Sequence, residues 1–133
     1  MRFRTIALSA VLAGAAAMFA GAAYADDPMV NTYGNTVVTT QEGSGVTSKL
    51  MFNQDGSYTG DTVGTDGKPV HYAGKWALKD DGKTICLTPD AAPGAKEAPI
   101  ANCSALEKHN VGDSWKVTND QKQTFDVSIV AGR

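Results

Sequence analysis

The side chains of this 133-residue chain that could do chemistry are few and scattered. Metal ligation needs His, Cys or carboxylate groups clustered at ligand spacing. The two histidines, His71 and His109, lie far apart, one on the outward face of a strand and one in a polar loop, and both read as surface residues. Asn53-Gln54-Asp55-Gly56 begins like a calcium loop, but no Glu follows where one would complete it. Its Asp-Gly pair is instead the chemistry of a tight hairpin turn. Gly43-Ser44-Gly45 is no nucleophile elbow, because no helix follows and no base is placed for it. Asp80-Asp81 are neighbours in a turn and lack the enclosing pocket that a general acid and base require. No Gly-rich phosphate cradle opens a helix. Asn102-Cys103-Ser104 fits the N-glycosylation pattern formally, an accidental match beside a cysteine expected to be bonded and a leader of bacterial type. The reading is therefore no catalytic residue, no metal and no cofactor.

Two groups of residues remain. Cys86 and Cys103 have no third cysteine to compete, so in an exported chain they are expected to bond to each other. The loop they would close holds Pro89, Pro93, Gly94 and Pro99 and little apolar periodicity to order it. On the chain-entropy model such a bond contributes about 3 kcal/mol. Tyr58, Tyr72, Trp76 and Trp115 are the candidate binding residues, amphipathic rings able to stack on a small apolar ligand. The alternative is that the same rings form the plug of a small core, and their bulk favours this filled interior over a ligand cavity.

The elements that must position them are strands. Segments 36–40, 46–52, 57–63, 69–78, 83–88, 115–118 and 123–130 alternate or are β-branched, and a short strand is expected near 103–107. Asp-Gly pairs at Asp55-Gly56, Asp66-Gly67 and Asp81-Gly82 mark the turns between them. The alternation is clearest where Val70, Tyr72, Gly74, Trp76 and Leu78 share one face against His71, Ala73, Lys75 and Lys79. Only the stretch 91–107 could carry a helical turn, and its prolines keep that short. About eight strands joined by tight turns predict an all-β fold, a small antiparallel up-and-down barrel that closes its own edges. A β-sandwich is the alternative. Against its immunoglobulin form, Trp76 precedes both cysteines and their spacing is too short to span two sheets. A membrane barrel needs apolar outward positions, which Lys75, Lys79, Lys116 and Asp126 occupy instead.

The first 25 residues read as a secretory signal peptide: Arg2 and Arg4, an apolar run over 6–22, then Ala23-Tyr24-Ala25 before Asp26. Cleavage after Ala25 leaves 108 of the 133 residues, one small domain, with 26–35 as a flexible lead-in and 36–133 as the barrel. Loss of Arg2 and Arg4 leaves ten basic residues against 14 acidic ones, a formal charge of −4. That balance offers nothing for nucleic acid to hold, and no membrane insertion is expected after cleavage. The expected location is periplasmic or secreted.

Gly74-x-Trp76-x-Leu78, Cys86, Cys103-x-x-Leu106, Trp115 and Phe125 together resemble the pattern of bacterial Inh-type metalloprotease inhibitors, over about the last sixty residues. More broadly, the pattern resembles small exported lipocalin-like barrels. The resemblance implies a periplasmic up-and-down barrel with one disulfide, and an exported protease as a possible partner. In that family Gly-x-Trp lies close to the mature N-terminus, whose leading residues enter the protease cleft; here about fifty residues precede it. The functions the chain supports are thus a non-catalytic binding or structural module of the periplasm, an inhibitor of an exported protease, or a carrier of a small apolar ligand.

Overall fold

The computed structural model describes residues 27–133. The expected signal peptide and Asp26 lie outside the described residues. Eight strands follow one another: β1 (Thr36–Gln41), β2 (Thr47–Phe52), β3 (Ser57–Val63), β4 (Pro69–Lys79), β5 (Thr84–Pro89), β6 (Asn102–Ala105), β7 (Ser114–Thr118) and β8 (Thr124–Val130). All pair antiparallel in one sheet of order β6-β5-β4-β3-β2-β1-β8-β7. This is an up-and-down barrel, closed at every junction but one. Between β6 and β7 the contact shrinks to a single Ser104–Asn119 bridge. Beside it the Asp120 amide donates to the Cys103 carbonyl at 2.9 Å, and the Cys103 amide donates to the Asp120 carboxylate at 3.2 Å.

The turns obey the sequence chemistry. At the β2–β3 turn the Asp55 carboxylate accepts from the Ser57 amide at 2.9 Å and the Ser57 hydroxyl at 2.5 Å, and these bonds hold its pKa below the ordinary aspartate value. Gly56 takes the left-handed φ of 89° that the turn demands. The only helical turn among the described residues is not within 91–107 but at Asp80–Gly82. There Asp80 and Asp81 are themselves left-handed, at φ 53° and 56°, and Asp80 accepts a bond from the Thr84 hydroxyl at 2.9 Å.

In a meander, alternate connections fall at opposite ends. The β1–β2, β3–β4, β5–β6 and β7–β8 connections therefore share one end, and the remaining connections share the other with both chain ends. Residues 27–35, expected to be a flexible lead-in, pack against that second end. Met29 is the most deeply buried hydrophobic side chain among the described residues, 1% exposed, and the Thr32 hydroxyl donates to its carbonyl at 2.7 Å. Tyr33 packs on Trp76 with ring centres 6.2 Å apart and donates to the Asp27 carboxylate at 3.1 Å. Asn31 ties the segment across the barrel end, donating to the His109 carbonyl at 2.7 Å. The segment is a run of turns that leaves no strand or helix periodicity to read.

The Cys86–Cys103 disulfide forms as expected. It joins directly opposed residues of β5 and β6 and faces away from the barrel interior, since their neighbours Ile85, Leu87, Asn102 and Ser104 all face in. No helix among the described residues is long and apolar enough to cross a membrane.

Candidate functional site

The barrel is hollow. A cavity of about 430 Å3 occupies its interior, where the bulk of the aromatic residues favoured a filled core. The reason lies in inward positions of small or polar type. Val37, Thr39, Ser48 and Leu50 follow the inward face of β1 and β2, and Asn102 and Ser104 that of β6. Each Thr, Ser or Asn leaves space that a Leu or Phe would fill.

Two glycines add to that space in a paired way. Tyr58 stands directly opposite Gly74, and Gly60 opposite Tyr72, on the β3–β4 ladder. Each tyrosine ring lies across its glycine partner, so a Cβ at Gly60 would clash with Tyr72 Cε2 at 2.6 Å and one at Gly74 would lie 2.6 Å from Tyr58 Cε1. The two rings then meet edge to face at 6.3 Å, with an interplanar angle of 79°, an arrangement that aromatic pairs favour. Burial, and after it the nearby Tyr72 and Asp90, pushes the Tyr58 phenol up to about 12.

Of the four aromatic residues singled out in the sequence, Tyr58, Tyr72 and Trp115 line the cavity. Trp76 does not. It sits toward the chain-end side, edge-on to Phe52 at 6.4 Å, and its indole donates to the carbonyls of Asn53 at 2.9 Å and Ser57 at 3.1 Å. Its role is to lock the β2–β3 turn and to receive Tyr33.

Phe52, Phe125 and His109 are cavity residues that were not among the binding candidates. Phe52 and Phe125 were legible as inward residues of alternating strands. His109 was read as a surface residue, and the structure corrects this. Its ring stacks on Trp115 with centres 3.6 Å apart and planes 7° from parallel, and its side chain is only 18% exposed. The physical reason is the flat indole face at the start of β7, which a loop residue can cover once β6 and β7 part. His71 is at the surface as expected, 80% exposed and paired with Asp61. No cluster of His, Cys, Asp or Glu able to hold a metal occurs among the described residues.

The fold and interior define a class of architecture, a small, nearly closed up-and-down β-barrel with one disulfide and a central cavity. Comparison with protein-family models, with curated proteins and with solved structures finds no match to the chain.

Proposed function

We propose that the chain is a non-catalytic, exported binding module that holds a small apolar ligand inside its barrel. The observation that carries this reading is the cavity of about 430 Å3, within the size range of small-molecule sites and lined mostly by apolar and aromatic side chains. A ring or chain held in a space so lined gains packing contacts on most of its surface. The signal-peptide pattern ahead of residue 26 and the disulfide support export to a periplasmic or extracellular location. The protease-inhibitor reading needs leading residues free to enter a cleft, and the burial of Met29 against the barrel end favours the carrier over it.

The test is titration of the purified chain with a panel of fluorophores, aliphatic and aromatic, charged and neutral, that brighten on leaving water. Saturable binding of one molecule per chain is expected for some members. Val117→Trp, which fills the cavity from β7, abolishes that binding while the far-ultraviolet spectrum stays that of the parent. Failure of every member of the panel to bind the folded chain would overturn the proposal.

A further inference from the structure

Resting on that reading, we infer that the cavity takes an uncharged, ring-bearing molecule whose hydrogen-bonding group is met by Asn102 and Ser104. Four observations converge on this chemistry. The first is size. At the packing density of an organic crystal, about 430 Å3 holds roughly 15 to 20 non-hydrogen atoms, which suits a compound of two or three rings.

The second is the wall. Phe52, Tyr58, Tyr72, Trp115 and Phe125 present five rings to one small space. Flat faces and polarised edges gain most from another ring, by offset stacking or edge-to-face contact. A flexible alkyl chain gains no such geometry and loses more freedom on being held.

Charge is the third. No Lys or Arg is among the lining residues, and the ionisable groups other than Tyr that reach the cavity are Glu107 and His109. An anionic ligand would shed its hydration with no Lys or Arg on the wall to receive it and with a carboxylate at the margin. Glu107 is itself exposed to solvent, so it offers a buried ammonium no desolvated partner either. The formal charge of −4 over residues 26–133 biases the surrounding field against anions as well.

The fourth is a pair of polar side chains that the protein does not use. Asn102 and Ser104 occupy successive inward positions of β6, each half-buried against the cavity. Neither side chain makes a hydrogen bond among the described residues. By contrast Asn119, also at the wall, spends its carbonyl on the amides of Gln121 and Gln123 and its amide on the Gln123 side chain. A carboxamide and a hydroxyl at the wall of an apolar space are open to a ligand's hydrogen-bonding group, and a bound molecule that covered them without pairing them would incur a desolvation cost. Cys103 lies between the two, and its bond to Cys86 pins them to β5. The anchors therefore sit on the one covalently fixed strand, where a preorganised binding group belongs.

The experiment compares N-phenyl-1-naphthylamine, an uncharged three-ring amine, with 1-anilinonaphthalene-8-sulfonate, the same skeleton bearing a sulfonate. The uncharged probe is expected to bind one per chain at least about tenfold more tightly, and Asn102→Leu to weaken it about fivefold, the loss of one hydrogen bond. Ser104→Ala, which changes volume least, should weaken it in the same direction with the circular dichroism of both variants unchanged. Equal or tighter binding of the sulfonate overturns the inference, as does an affinity indifferent to both substitutions. Preference for a long-chain fatty acid over the uncharged ring compound also overturns it, yet leaves the binding module standing. Failure of every probe, charged or neutral, cyclic or aliphatic, removes both.

Discussion

Gly74 lies directly across the β3–β4 ladder from Tyr58, and the Tyr58 ring fills the volume that a side chain at 74 would need. The reciprocal pair, Gly60 with Tyr72, repeats this one step along the ladder. A glycine in a strand is ordinarily a weakness. Here each is covered by a ring, which keeps the strand paired and aims the ring along the wall instead of across the lumen. The cavity depends on that placement.

The two glycines are expected to respond differently to the same change. In Gly74→Ala the new Cβ meets the Thr88 carbonyl oxygen at 2.5 Å as well as the Tyr58 ring, and backbone cannot swing aside. Destabilisation of about 2 to 3 kcal/mol is expected. In Gly60→Ala the three nearest atoms all belong to the outer end of the Tyr72 side chain, which is half-buried and can turn, so the loss should stay nearer about 1 kcal/mol. Urea denaturation of both variants measures the difference, and equal losses would show that the Thr88 backbone yields.

Met29 seals the chain-end side of the barrel. Met29→Ala should cost about 2 to 5 kcal/mol, the range for truncating a buried methionine, although the residue lies outside every strand. A change below about 0.5 kcal/mol in denaturant unfolding would mean that residues 27–35 add nothing to the folded barrel.

Removing the covalent link is expected to lower stability by about 3 kcal/mol, on the loop-closure model, for a separation of 17 residues. The double variant Cys86→Ser with Cys103→Ser, unfolded in denaturant beside the parent, gives the number. The loss should vanish when the parent is measured in reductant.

Alkali should destabilise the protein progressively above the ordinary tyrosine range. Burial, and then the Asp27 charge and hydrogen bond, pushes the Tyr33 phenol from 10.0 up to about 12, and burial does the same for Tyr58. A raised acid pKa means that the native state keeps a proton the unfolded state has released. Stability is therefore complete below pH 10 and declines as pH rises from there toward 12. Thermal melts across that window should fall steadily, more shallowly in Tyr58→Phe, with tyrosinate absorbance rising together with unfolding. Melting temperatures level across the window would contradict the burial of both rings.

Much of this fold was legible because period-two alternation and Asp-Gly turns agree along the chain. Seven of the eight strands fall within about a residue of where their patterns place them; β6, expected near 103–107, ends early at Ala105, because its register is set by the cysteine pair and not by apolar spacing. The cavity was less legible. Attention to bulky inward residues such as Phe52 and Trp115 passes over Thr39, Ser48, Gly60, Gly74, Asn102 and Ser104, which hold the same parity and decide the volume. Following strict alternation through those small residues would have exposed the shortage of filling. The Met29 plug and the His109–Trp115 stack had no such signal, because both are made by irregular backbone whose position depends on where distant strands end.

The excursion between β5 and β6 carries a further consequence. Residues 90–98 are exposed throughout, and both flanks of this stretch are held by the Cys86–Cys103 bond. A peptidase that cuts there makes two polypeptides that stay one molecule. The nick would go unseen on a gel run without reductant, and the lumen, walled by strands on either side of the cut, would outlast it.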